Sequence, residues 1–382
     1  MKTLTLLVAL AGSLLAEKEK VETLPIGSVA PDFSLPGVDG EVYSLANFSE
    51  AKALVLIFTC NHCPDAIAAR GRIQSIADDY EAKGVELVAI SGNDPLALHL
   101  WELGWSVYGD SFEEMKVLSK ETGMTFPYLY DGEKQEASRA YGAVATPHAF
   151  VLDGERKLAY QGRLDDMRRK SGPAETSYLR AALDAVLAGE DVKEKTTRVH
   201  GCSTKWSSKR ELARQKEAEW RALPVGLDSI DEAGVKTLAA NETPNLRLVN
   251  VWSTTCGPCI AEFPDLLDAY QRYQRRPFEF ITISVDPAEK MGEVLSFLKK
   301  QHVPLSPNTK KVMKEERETN NFHYTSDDLD ALAEALDAEW QGPIPHTVLI
   351  APGGKVSWRH TGQVDAVEMR RAIIEAIRGL EL

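Results

Sequence analysis

The chain has 382 residues, 43% hydrophobic and 26% charged, which is ordinary for a globular protein long enough for two or three domains. Its formal charge of −13 argues against nucleic acid or an anionic membrane surface as partner. Five cysteines, four of them in two Cys-x-x-Cys pairs, are too few for a disulfide scaffold and point to redox chemistry.

Met1-Lys2 is a small basic start, and residues 4–15 are apolar apart from Thr5, Gly12 and Ser13. Ala9, Ala11, Ser13 and Ala16 offer small cleavage positions before the polar run Glu17-Lys18-Glu19-Lys20. Residues 1–16 therefore read as a secretion signal, too short for a comfortable span of ~20 residues. Export to the periplasm or another extracytoplasmic space follows, with membrane attachment only through an uncleaved signal. Residues 33–35 and 42–44 flank a Gly37–Gly40 turn as a predicted hairpin. Leu54-Val55-Leu56-Ile57-Phe58-Thr59 reads as a buried strand and runs straight into Cys60-Asn61-His62-Cys63-Pro64 and a helix. Further on come a strand at 85–91, a helix at 111–121, a strand at 128–130 and a short helix at 133–141. Ala145-Thr146-Pro147-His148 precedes another strand, and a helix over 174–188 closes this half.

A linker follows from about 197 to 224, and its charged 207–221 part reads as a solvated helix bridging two domains. Leu248-Val249-Asn250-Val251-Trp252 is a second buried strand. Cys256-Gly257-Pro258-Cys259 then opens a helix reaching Tyr273. A strand is expected near 303–305. Residues 310–339 read as an insertion serving as a lid or partner contact, with an amphipathic helix over 326–338 capped by Ser326. Pro343-Ile344-Pro345-His346 leads into the last strands and a helix over 366–380.

The two halves repeat one plan. Cys60 lies 87 positions before Pro147, and Cys256 lies 89 before Pro345. A cysteine at a helix N-terminus meets unpaired N–H groups and the helix dipole, which favour its thiolate, the nucleophile of disulfide exchange. Cys60 and Cys256 are thus expected to attack, nearer to solvent, with Cys63 and Cys259 buried behind them to resolve the mixed disulfide. His62 places an imidazole beside Cys60, and as a cation it would lower that thiol's pKa and make the first site the more oxidising. Asp65 reads as solvated surface. His148 and His346 read as core or strand-surface residues, and Trp252 as packing under its site.

Trp252-Ser253-Thr254-Thr255-Cys256-Gly257-Pro258-Cys259-Ile260-Ala261-Glu262-Phe263-Pro264 resembles the TlpA/ResA-like group of exported thiol–disulfide oxidoreductases. That group carries a glutamate three positions after the second cysteine, where Glu262 stands. Ala30-Pro31-Asp32-Phe33-Ser34-Leu35, Phe58-Thr59-Cys60-Asn61-His62-Cys63-Pro64 and Gly201-Cys202-Ser203 resemble redoxin domains of AhpC/TSA type. The resemblance implies an α/β chain of two tandem thioredoxin-like folds, each a central mixed sheet flanked by helices. The units would be 24–206 and 223–382, joined by a charged linker at 207–222. It further implies that Pro147 and Pro345 are cis and face the cysteine pairs, with Thr146 and Ile344 docking the substrate chain. Without it, either proline reads equally well as the start of an edge strand.

The expected function is an exported thiol–disulfide oxidoreductase whose two sites exchange disulfides with protein thiols and relay electrons between them. It needs no cofactor and no metal; its redox donor is unidentified. Glu262 would move a proton to or from Cys259, and Cys202 is an extra thiol that is free, intermolecular, or a resolver of Cys60. Two readings compete. One is a non-catalytic metal-handling or partner-binding module, although zinc is disfavoured by pairs 196 positions apart that each lead into a helix. The other is a thiol peroxidase, disfavoured because Ile57 occupies the position of the threonine in Pro-x-x-x-Thr-x-x-Cys.

Overall fold

A computed structural model describes residues 21–312 and 317–381; the secretion signal expected at 1–16 lies outside the described residues. A hairpin, β1 (Leu35–Pro36) with β2 (Val42–Tyr43), precedes β3 (Ala53–Thr59). There follow α1 (Pro64–Glu81), β4 (Val85–Ser91), α2 (Phe112–Thr122), β5 (Tyr128–Tyr130), α3 (Glu136–Tyr141) and β6 (Ala145–Thr146). β7 (His148–Leu152), β8 (Leu158–Gly162) and α4 (Tyr178–Ala188) come next, and β9 (Cys202–Ser203) ends this half. β3 sits centrally in the order β5-β4-β3-β7-β8, parallel to β4 and antiparallel to β7. Every residue of β3 is buried, because helices cover both faces of the sheet. Val55 and Ile57 meet Ala69 and Ile73 of α1, while Leu56 and Phe58 meet Phe150 and Tyr141 on the other side.

Helix α5 (Arg210–Arg221) links the halves. Arg210 holds Asp94 of the first half, and Trp220 packs edge-on against Tyr270 of the second at 5.3 Å. The expected solvated helix is thus solvated on its charged face only, since Trp220 is buried.

The second half contains β10 (Asp228–Ile230), α6 (Glu232–Ala240), β11 (Leu246–Trp252), α7 (Gly257–Tyr273), β12 (Phe278–Ser284), α8 (Met291–Gln301) and α9 (Pro307–Val312). It continues with β13 (Asn321–Tyr324), α10 (Leu329–Leu336), β14 (His346–Ile350), β15 (Val356–Thr361) and α11 (Ala366–Glu381). The sheet order is β10-β13-β12-β11-β14-β15, again with the cysteine strand β11 between a parallel and an antiparallel neighbour.

Two expectations fail here. No strand forms at 303–305, and the described part of the 310–339 segment supplies a sheet strand rather than a lid: β13 lies inside the sheet between β10 and β12. All four β13 residues are buried, with Phe322 and Tyr324 in the apolar core and Asn321 donating to the Val303 carbonyl at 2.8 Å. The polar residues that satisfy this layer hide the strand from an apolar pattern search. α10 packs Leu332 and Leu336 onto Val235 and Leu238 of α6, and its cap is Asp328 rather than Ser326.

The halves meet through guanidinium–indole stacks. Arg275 lies 3.4 Å from the centre of the Trp101 ring, and Arg276 equally close to that of Trp105. Each such contact is worth about 0.5–2 kcal/mol. Arg371 pairs with Glu121 at 2.8 Å, and the Tyr273 hydroxyl reaches the Ser106 carbonyl at 3.4 Å.

Candidate functional site

Each central strand delivers its cysteine pair to the top of its sheet, but the helix that follows starts at a different place. In the second half α7 starts at Gly257 and Cys256 is its N-cap, the sulfur accepting the Cys259 N–H at 3.2 Å. Cys256 is half-buried and disulfide-bonded to fully buried Cys259, with Cα atoms 5.2 Å apart. Trp252 lies beneath, edge-on to Phe263 at 4.8 Å, as expected. In the first half α1 starts at Pro64, so the N-cap is Cys63. Proline favours the first helical position, where no N–H partner is needed; Cys-Pro therefore moves the helix start past Cys60. Cys60 is not at the helix mouth, and it is not nearer to solvent: it is 2% exposed and Cys63 0%.

The charges around the first pair follow from this. Asp110 is fully buried and accepts the Asn61 N–H at 2.9 Å, the His62 N–H at 3.2 Å and His62 Nδ1 at 2.7 Å. Burial opposes charge on both groups, yet their mutual attraction prevails: the His62 pKa is raised and that of Asp110 lowered. The imidazolium expected to serve Cys60 is thus committed to a carboxylate. Burial pushes the Cys60 thiol well up, with the adjacent Asp110 adding to it. Cys63 goes the other way. The Cys202 thiol hydrogen-bonds to its sulfur, the Cys202 N–H donates to it at 3.2 Å, and the start of α1 adds a further donor. The Thr146 carbonyl 3.1 Å away can accept only from a protonated Cys63 and so opposes the shift. Burial opposes the shift as well, but the hydrogen bonds from Cys202, Cys60 and the start of α1 outweigh it, so the Cys63 thiol is pushed down and is the favoured thiolate.

Thr146–Pro147 and Ile344–Pro345 are both cis, and Thr146 Oγ1 lies 3.3 Å from Cys60 Sγ. Cys60 also borders an apolar cavity of about 330 Å³, with Ile73, Leu118, Phe126 and Tyr128 in its wall. Glu262 is buried one turn beyond Cys259 and accepts from Asn250 Nδ2 at 2.8 Å and the Val364 N–H at 3.0 Å. Burial nevertheless pushes its carboxyl up to about 7. His148 and His346 are core residues, each held near a pKa of about 4 by burial. Asp65, expected on the surface, is buried beside Arg168 and Arg169 at 3.7 and 3.5 Å.

The two sulfur pairs are far apart. Asn61 is tied through Ser106 to Tyr273, and Pro64 lines a surface pocket with Arg378 of α11. The first site therefore lies toward the C-terminal ends of α7 and α11. Cys259 lies near the opposite end of α7, about 21 Å along the helix from Tyr273.

Asp110 and Asn250 were not singled out from the sequence. Asn250 stands in β11, where a polar residue within the run Leu248–Trp252 is a usable signal. Asp110 lies 48 positions from His62, with no local pattern to connect them.

Two α/β units, each presenting a cysteine pair beside a cis-proline, define the class of thioredoxin-like folds. Residues 26–161 match the AhpC/TSA family and residues 229–374 the Redoxin family. The chain belongs to the thioredoxin superfamily, with these two domains in tandem. It is similar to the thiol–disulfide oxidoreductase ResA of Geobacillus thermodenitrificans, 26% identical over 165 residues that make up 41% of this chain and 83% of that one. Solved structures from Sinorhizobium meliloti (37% identity, TM-score 0.44) and Geobacillus kaustophilus (42%, 0.43) are also similar. They match 49% and 48% of this chain, and 97% and 93% of their own.

Proposed function

We propose that this thiol–disulfide oxidoreductase acts outside the cytoplasm on protein thiols, through two separate dithiol centres carried by units 24–206 and 223–382. Residues 207–222 join the units. One observation carries the reading: half-buried Cys256, at a helix N-cap, is bonded to a fully buried Cys259. Cys256 attacks a client disulfide and Cys259 releases the client, forming the Cys256–Cys259 bond. Ile344 and Pro345 border the place where the client chain lies. Glu262, with a carboxyl near neutrality, exchanges the proton that Cys259 gains or loses.

In the first unit Cys60 and Cys63 form the second dithiol, opening and closing a disulfide between them, with the thiolate preference shifted to Cys63. Thr146 and Pro147 border that pair, and His62 holds Asp110 in place. A relay between the centres runs through a carrier thiol or a movement of one unit. Among the described residues no helix is long and apolar enough to cross a membrane.

The test is reduction of insulin by dithiothreitol with the full chain, Cys256→Ser and Cys60→Ser. The full chain should accelerate precipitation, and Cys256→Ser should lose most of that acceleration. No acceleration by the full chain, or none lost in Cys256→Ser, rejects the reading. A binding module would give the first of these results.

A further inference from the structure

The first site has a third sulfur. β9 pairs antiparallel with β6, setting Cys202 opposite Thr146, the residue before Pro147. The pairing brings the Cys202 N–H onto Cys63 Sγ, and Cys202 packs with Cys60, Cys63 and Ala66 in one small cluster. The segment is built to come this close. Gly201 has φ +136°, and a Cβ there would meet the Thr146 carbonyl oxygen at 1.9 Å, so a side chain could not be fitted. Lys205 fixes the other end, its N–H donating to Asn93 Oδ1 and its carbonyl accepting from the Asp94 N–H and Gln135 Nε2.

Among the three sulfurs only that of Cys202 belongs to a residue with appreciable exposure; Cys60 and Cys63 are sealed. β9 lies across Cys63 on the Thr146 side, and Cys60 faces only the apolar cavity, so neither sulfur stands at the surface as Cys202 does. The second half has no such strand beside Ile344 among the described residues.

We propose that Cys202 is a third redox cysteine, the outlet through which the sealed Cys60–Cys63 pair exchanges disulfides with other thiols; this rests on the dithiol reading of the first site. Starting from the Cys60–Cys63 disulfide, Cys202 Sγ attacks Cys63 Sγ. The Cys60–Cys63 bond breaks, the Cys63–Cys202 bond forms, and Cys60 takes up the proton that Cys202 gives. No electrons enter or leave. A partner thiolate then attacks Cys202 Sγ, Cys63 leaves as thiolate, and Cys60 and Cys63 remain as a reduced pair with the partner joined to Cys202. A second partner thiol, attacking the partner sulfur of that mixed disulfide, frees Cys202 and carries away the disulfide. Run backwards, the same steps oxidise the pair at the expense of a partner disulfide.

The experiment uses the full chain with Cys256→Ser and Cys259→Ser, so that only these three sulfurs remain. The protein is equilibrated in glutathione buffers of graded potential, quenched in acid, alkylated in denaturant and mapped by mass spectrometry. Both Cys60–Cys63 and Cys63–Cys202 linkages are expected, with Cys202 losing about half its alkylation if the two disulfides are of similar stability. Adding Cys60→Ser should drive Cys202 almost wholly into the Cys63–Cys202 bond. If Cys60–Cys63 forms while Cys202 stays fully alkylated in both proteins, the outlet is refuted and the dithiol reading stands. If no linkage involving Cys63 forms at any potential, both are refuted.

Discussion

The two halves carry the same strand, cysteine pair and helix, yet they favour different sulfurs. In the second, Cys256 caps the helix and reaches solvent; in the first, Cys63 caps it and nothing of the pair does. The difference follows from one proline. Cys63-Pro64 starts the helix at the proline, whereas Cys256-Gly257-Pro258 starts it one residue earlier. Polar support differs too. Asp110 holds the Asn61 and His62 N–H groups between the first two cysteines, while in the second half the buried carboxylate is Glu262, one turn beyond Cys259. The Cys-x-x-Cys spacing specifies that a disulfide can close; where the helix begins decides which end is the anion.

The largest test of this contrast removes the ion pair under the first site. His62→Ala leaves Asp110 buried without its cation, and a loss of about 3–5 kcal/mol in urea unfolding is expected. A loss below ~1 kcal/mol would show that the pair does not organise this site. Next is accessibility. In the reduced protein at neutral pH, iodoacetamide should label Cys256 at least ~100-fold faster than Cys60, read peptide by peptide; comparable rates would erase the distinction between open and sealed sites.

The third test concerns Glu262, whose carboxyl titrates near ~4.3 unfolded and about 7 folded. A raised folded value means its contribution is intact below pH ~4.3 and fades as pH climbs through 7. Between pH 4.5 and 8 the natural protein should lose about 1–3 kcal/mol that Glu262→Gln retains. Parallel stability curves would place the carboxyl in water. The smallest effect is on potential. Donors to the Cys63 thiolate stabilise the reduced first site, so it should be more oxidising than the second by about 30 mV or more. The double-serine variants, each titrated against glutathione, measure it; the reverse order would mean that these donors do not control the couple.

Much of this architecture was legible in the residues. The apolar strands β3 and β11 lie where the residue pattern puts them, and the helices that follow the cysteine pairs do too, because local sequence sets them; the cis form of the two prolines was implied only by the family resemblance. What escaped was whatever depends on distant partners. Asp110 meets His62 only through the fold, and β13 conceals its burial behind hydrogen-bonded Asn321 and His323. The helix start at Pro64 was readable, since proline prefers that position, but the Cys-x-x-Cys pattern drew the reading one turn too early.

Gly201 has a consequence for how the first site could change its clientele. One methyl group there would act as a wedge, forcing β9 off the Thr146 carbonyl and baring a strip of backbone next to the sulfurs. A guarded chamber would become a docking bench, at the cost of a single hydrogen-to-carbon exchange.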